Sequence, residues 1–352
     1  MRSRTEASRQ AVRRGHVRTT TATLHTLAGK VADLPVSDGS LTMSMSASPG
    51  VRSGRITVPG YEWWPLFSPH TACWVEVSQT IEGETWNLGQ WPVASVEENY
   101  PGGEVNVELE DWAARRDRSV AEWQQSMGYG TTVAQMFQNY TSHLMPGGVF
   151  TVTRDDTNGA ARPYVPQVQT GASVWDAMTE CANTAGAVLV VESRTEGHVR
   201  VFNPYEPYHD EITGTVVRAT VKLDLADVYN RVVVEMRGAD EAVFTGRRTI
   251  TAGDWAFSRD GAGFCILTDS QSNETATQAM ADAEAKRIYE RRAGAVRTVD
   301  VEVIPQPWIE IGDILVWQVD SDRLELFSVE TVEYPLRADQ SMRLTSREVP
   351  NA

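Results

Sequence analysis

Lysine is nearly missing from this chain: Lys30, Lys222 and Lys286 are the only three, so its positive charge is almost all arginine. That skew points to a GC-rich coding sequence and carries no mechanism. Cysteine is as sparse. Cys73, Cys181 and Cys265 are odd in number, far apart and in no CxxC spacing, which excludes a disulfide framework or a zinc ribbon and fits buried thiols folded in a reducing cytoplasm. No stretch approaches the roughly eighteen consecutive apolar residues of a membrane-spanning helix. The basic start is followed by no apolar core of a Sec signal. Low-complexity tracts and repeats of twenty to fifty residues are missing too.

Catalytic signatures are equally scarce. None of the six histidines falls in a recognised frame, and HExxH, GxSxG, GxxxxGKS/T and a strand-flanked GxGxxG do not occur. His209-Asp210-Glu211 is the densest polar cluster and reads as a solvated turn. Asp155-Asp156-Thr157-Asn158-Gly159 resembles a calcium loop superficially, but Gln167 stands where the bidentate glutamate belongs, so a hairpin turn is expected. Glu97-Glu98 and Asp240-Glu241 are adjacent pairs. On a strand such neighbours point to opposite faces and cannot converge on one sugar as a glycosidase's carboxylates do. The expectation is a chain with no catalytic residue, no metal and no cofactor.

The charge that is present is unevenly spread. Arg2, Arg4, Arg9, Arg13, Arg14 and Arg18 face a single acid, Glu6, in residues 1–18, while the whole chain carries −15. A basic arm on an acidic body can dock in trans onto a neighbouring copy. The acidic body argues against specific nucleic-acid binding and would suit a conduit through which DNA slides.

At 352 residues, more than one domain is expected. Period-two alternation at 41–45, 56–58, 74–77 and 105–109 reads as half-buried antiparallel strands. Asp38-Gly39, Ser48-Pro49-Gly50, Pro59-Gly60, Glu82-Gly83 and Pro101-Gly102-Gly103 supply turn signals between them. Helical stripes follow Ser119, Thr132 and Ser173, with a hairpin over 187–202. Strand patterns return at 216–236, a helix is expected over 274–292 with Ala276, Met280, Ala283 and Ile288 inward, and strands resume from Val299. The fold class is mainly β with α+β parts. A basic N-terminal arm (1–18) precedes a first β-barrel (19–118). A small α+β domain (119–215) leads to a second barrel (216–245 and 296–352), interrupted by a helical insertion (246–295). Among eleven tryptophans, Trp63 and Trp64, beside Pro65 in a loop between strands, are candidates for core, interface or sugar contact.

Several segments resemble a known family. Asp38-Gly39-Ser40-Leu41-Thr42-Met43 with Val51 to Val58 is similar to the opening of siphophage minor tail proteins that form the tail-tip hub. Tyr229-Asn230-Arg231-Val232-Val233-Val234 looks like the strand re-entering their second barrel. Pro307 to Leu315 looks like its P-x-I-x-x-G-D turn, and Val329 to Leu336 with Met342 to Leu344 resemble its last two strands. The resemblance extends to the baseplate hub family of contractile tails, in which two related barrels alternate with two smaller domains. It implies a homotrimer whose six barrels continue a hexameric tube, a symmetry match that one chain with two similar barrels provides. Implied partners are the distal tail protein above and the tape-measure protein and a central fibre or spike below. The implied place is the virion tail tip, after assembly in the bacterial cytoplasm, with roles in host attachment and DNA passage. Because the sequence stops at Ala352, receptor binding or wall degradation is expected of another protein.

Three other readings stand beside this one: a single-barrel distal tail protein, a hub from a contractile phage or injection machine, and a glycan-binding module or cell-wall hydrolase. In the hub reading, Arg9, Arg13 and Arg14 clamp an acidic surface on a neighbouring subunit. Deleting residues 1–18 is then expected to impair assembly while leaving the monomer folded, which sedimentation and circular dichroism would report.

Overall fold

The computed structural model describes residues 10–12, 17–26, 28–44, 52–67, 73–101, 103–111, 152–154, 173, 188–192, 198–202, 209–210, 216–224, 228–238, 241–251, 256, 266–272, 276–292, 296–320 and 323–348. The helices expected after Ser119, Thr132 and Ser173 and the turn at Asp155 to Gly159 lie outside them, as do Cys181 and Cys265. The chain divides into two units, residues 1–219 with 300–346, and residues 220–299 with 347–352.

Seven strands open the chain: β1 (Arg18–Thr26), β2 (Gly29–Leu34), β3 (Asp38–Ser44), β4 (Arg52–Pro59), β5 (Cys73–Ile81), β6 (Glu84–Asn99) and β7 (Glu104–Glu110). Then come β8 (Val152–Arg154), β9 (Val188–Glu192), β10 (His198–Phe202), β11 (His209–Asp210) and β12 (Val216–Asp224). They are followed by β13 (Arg231–Arg237), β14 (Val243–Thr249), β15 (Ile266–Ser272), helix α1 (Gln278–Arg292), β16 (Val296–Val303), β17 (Ile314–Asp320), β18 (Arg323–Pro335) and β19 (Met342–Glu348). The architecture is mainly β, as the sequence reading expects.

Alternation explains why these segments are strands. Along β5 every second residue is buried, from Cys73 through Val75, Val77 and Gln79 to Ile81, while the residues between stay partly exposed. β4 repeats the pattern with Gly54, Ile56 and Val58 inward. β5 and β6 are joined through Glu82 (φ 49°) and Gly83 (φ 82°), two successive positive-φ residues of the type I′ kind that matches strand twist.

The large sheet has the order β12-β16-β19-β18-β3-β4-β7-β6-β5-β1-β2, with β17 paired to β18 and β11 to β17. The strands of the two expected barrels therefore share one sheet, joined where β18 runs antiparallel to β3 and Tyr334 stands opposite Leu41. Closure into two separate barrels is not seen among the described pairings. β8, β10 and β9 form a small sheet of their own, with β9 and β10 the antiparallel hairpin expected over 187–202.

Two expected turns are strands instead. Asp38-Gly39 lies inside β3, opposite Thr57 and Ile56. A β-carbon on Gly39 would land on the Arg55 carbonyl, so this glycine serves close strand approach rather than chain reversal. His209–Asp210, expected as a solvated turn, pairs in parallel with Ile314 and Leu315. The sheet takes up its backbone groups, which local polarity cannot foretell.

The Pro307 to Asp313 segment is a tight turn, as its resemblance implies. Gly312 takes φ 84°, the Glu310 N–H donates to Asp313 Oδ2 at 2.8 Å, and Gly312 N–H donates to the Val329 carbonyl at 2.8 Å. Trp308, Ile309, Ile311 and Ile314 are buried around it.

In the second unit β13 is central, antiparallel to β14 and parallel to β15, and α1 packs on this sheet through Ala281 and Ala285 against Val232, Val234 and Met236. The sequence reading gave residues 231–245 to the second barrel. Here β13 and β14 belong with the helix, because Val232, Val234 and Met236 are the face that α1 covers. Ala283, expected inward, is exposed, and Ala281 is buried in its place. The helix turns Ala281 to Gly246, where any β-carbon would strike the Ala281 backbone carbonyl. Gly246→Val is therefore expected to cost about 1–3 kcal/mol by overpacking; amide hydrogen exchange in β13 and α1 should rise, while β4 and β5 keep their protection.

Candidate functional site

Gln79 occupies an inward position of β5 that alternation reserves for an apolar side chain, and it is completely buried. Its Oε1 accepts the Tyr334 hydroxyl, and its Nε2 donates to Thr20 Oγ1 at 3.2 Å. The Thr20 hydroxyl in turn donates to the Leu336 carbonyl at 2.8 Å. Arg18 completes the set: Nη2 donates to the Arg337 carbonyl and, at 2.9 Å, to the Gln340 carbonyl. Burial lowers the Arg18 pKa from its ordinary value, opposed by Tyr334 and Asp339. The guanidinium keeps its charge at any physiological pH because arginine starts so high.

This network ties β1 and β5 to the end of β18. Two further contacts act along the same seam. Leu336 N–H donates to the Gly39 carbonyl at 2.9 Å, and Thr331 Oγ1 donates to Ser44 Oγ at 3.1 Å. Trp86 of β6 meets Trp308 with ring centroids 5.6 Å apart and planes tilted 59°, an arrangement worth about 0.5–1.5 kcal/mol beyond its buried area. Beside the network lies a cleft of about 340 Å³ lined by Arg18, Thr20, Ser37, Asp38, Arg337 and Asp339. Arg337 and Asp339 of its lining pair at 2.6 Å, and the hydrogen bond from Arg337 lowers the Asp339 carboxyl's pKa.

Of the residues singled out in the sequence, Arg9, Arg13 and Arg14 lie outside the described residues. Arg18, counted there with the basic arm, opens β1 and is buried, so a deletion that tests the arm must spare it. Trp63 and Trp64 sit on a 3-10 helix, Tyr61–Leu66, rather than in a loop. Trp64 is exposed and Trp63 half-buried. Trp86, Trp91 and Trp308 are buried and so act in packing, not in stacking on a sugar. Glu97 and Glu98 follow each other along β6, opposite Asn106 and Val105, and do not converge. Among the described residues no group of three His, Cys, Asp or Glu could hold a metal ion, and no helix is long and apolar enough to cross a membrane. Sequence reasoning missed Gln79 and Tyr334; the available signal was a glutamine in the apolar phase of an otherwise regular strand.

No protein-family model matches this chain, and no curated protein matches its sequence. Solved structures do. A tail protein from Neisseria meningitidis aligns over 94% of this chain and 97% of its own, with a TM-score of 0.66 at 13% identity. The 43 kDa tail protein of prophage MuSo2 from Shewanella oneidensis aligns over 94% and 99%, with a TM-score of 0.64 at 13% identity. Prophage tail protein gp18 from Listeria monocytogenes aligns over 94% and 95%, at 0.58 and 10%. A Francisella PdpA–VgrG complex aligns over 96% of this chain and 59% of the neighbour, at 0.60 and 9%. The chain thus has the fold of these tail proteins along nearly its whole length, as the resemblance read from its sequence implies.

Removing the Tyr334 hydroxyl (Tyr334→Phe) leaves Gln79 Oε1 buried without its donor and is expected to cost about 1–3 kcal/mol. The double variant Tyr334→Phe with Gln79→Leu should recover part of that loss. Urea unfolding of the four corners of this cycle checks both.

Proposed function

We propose that this protein is the hub of a phage tail tip or baseplate, a non-enzymatic trimeric ring that joins the hexameric tube to the parts below. Each chain supplies two sheet-forming halves, one from β1 to β7 and one from β16 to β19, and three chains place six such halves around the axis. The distal tail protein sits above the ring, and the end of the tape-measure protein and a central fibre or spike sit below. The ring acts in attachment and lets DNA pass.

The observation that carries this reading is the end-to-end fold match to phage tail proteins, with coverage above nine-tenths in both directions for three of them. Two physical facts agree with it. The N- and C-terminal strand sets are sutured into one sheet by β3 and β18, which gives a stiff ring element. The acidic composition, −15 overall, repels a passing DNA backbone instead of holding it. A closed cyclic assembly would also cover the sheet's open edges, which are otherwise aggregation-prone.

The purified chain is expected to sediment at three times its monomer mass and to appear as a threefold ring by electron microscopy. A monomer at micromolar concentration that also fails to associate with tails would sink the proposal. A clear lysis band on host cell walls in zymography would overturn the non-enzymatic part.

A further inference from the structure

One end of the β4-β7-β6 strands carries a surface that the scaffold itself does not use. Pro59 and Asn99 both stand opposite Glu104, and the Gly60 N–H donates to the Gly103 carbonyl. These pairings bring the Tyr61–Leu66 3-10 helix beside the tip of the β6–β7 hairpin. Three aromatic side chains remain in solvent there: Tyr61 at 69%, Trp64 at 42% and Tyr100 at 91%. Exposed apolar surface rimmed by polar residues is the mark of an interaction site.

The charge around them has one sign. Glu62, Glu98 and Glu104 are exposed, and residues 56–111 contain no lysine or arginine. Aromatic faces among carboxylates suit a guanidinium, which can stack on the rings and donate to the acids at once. The chain carries that chemistry in its first sixteen residues, where Arg2, Arg4, Arg9, Arg13 and Arg14 face only Glu6.

Reach decides between a copy's own tip and a neighbour's. Arg18 pairs opposite Ile81, which itself stands opposite Glu84 at the start of β6, whereas the tip follows Asn99 at that strand's far end. Along its contour β6, Glu84 to Asn99, measures about 50 Å, with an irregularity at Val93–Ser95 where its pairing passes from β5 to β7. Arg13 and Arg14 precede Arg18 by so few residues that full extension carries them about 17 Å, and Arg9 about 30 Å. Val12, at 1% exposure, anchors the segment further.

We propose that the arginine-rich residues 1–16 of one copy bind the acidic aromatic tip of a second copy, Arg9, Arg13 and Arg14 lying against Tyr61, Trp64 and Tyr100 and pairing with Glu62, Glu98 and Glu104. The contact rests on the self-association put forward above and names the surfaces that make it. It is electrostatic at its rim, so it weakens with salt.

A fluorescently labelled peptide of residues 1–16 tests this, titrated into the full chain carrying Arg9→Glu, Arg13→Glu and Arg14→Glu so that the chain's own segment does not compete. Saturable anisotropy change is expected. It should weaken at least about tenfold when Tyr61→Ala, Trp64→Ala and Tyr100→Ala are added, and also in about 0.5 M salt. These exposed positions should leave the urea midpoint unchanged, which separates lost binding from lost folding. A peptide carrying glutamate at the three arginines should bind again when Glu62, Glu98 and Glu104 are replaced by arginine. Equal affinity for the tip variant, or no peptide binding, overturns the proposal, and so does tip-dependent retention on host cell-wall polysaccharide without peptide binding. A chain that sediments as a trimer yet ignores the peptide sinks this contact and leaves the hub standing; tip-dependent peptide binding by a chain that neither trimerises nor associates with tails supports the contact and removes the hub.

Discussion

The pairing of β3 with β18 is the constraint on which the large unit depends. It joins residues nearly three hundred positions apart, so the loop it closes is long and its entropic cost must be met by strong local complementarity. Backbone pairing across five positions is one part. The other is the buried chain from Tyr334 through Gln79 and Thr20 to the Leu336 carbonyl, with Arg18 gripping the next carbonyls. A buried polar network of this kind is costly unless satisfied. Here it works as a register lock: a slip of β18 by one residue would turn Tyr334 away from Gln79 and break the hydrogen bond between them.

The interior is committed to packing: Trp91, Trp308 and Phe327 are almost fully enclosed, and Trp86 joins them. Tyr61, Trp64 and Tyr100 are exposed instead, near the exposed carboxylates Glu62, Glu98 and Glu104. The smaller unit has its own core of Val232, Val234, Met236, Ala281 and Ala285. Its packing is set by one glycine, since Gly246 admits the backbone of α1 where no other residue would.

The strands were legible because alternation is a local property with a single physical cause, one face dry and one wet. β4, β5 and β7 appear where the sequence places them, and Glu82-Gly83 makes the expected reversal. The misses share another cause. Asp38-Gly39 has the composition of a turn, but the same absence of a side chain suits a strand pressed against Arg55, and only the neighbour distinguishes the two. His209–Asp210 looks solvated until β17 takes up its backbone. The α1 face departs from expectation at Ala283, because alanines lie all around that helix and the close approach of Gly246 turns Ala281 inward instead. Arg18 reads as one more arginine of a basic arm until the carbonyls that hold it come into view.

The sequence by itself determined the mainly β character, the absence of recognisable catalytic motifs, the acidic balance and the resemblance to tail proteins, because each depends on residue type or short-range period. Tertiary structure alone decided that the two halves share one sheet, that β13 and β14 lie under the helix, and that Gln79 and Tyr334 meet. Those outcomes depend on which distant surfaces exclude water together, a property of pairs of segments that no window of a single chain contains.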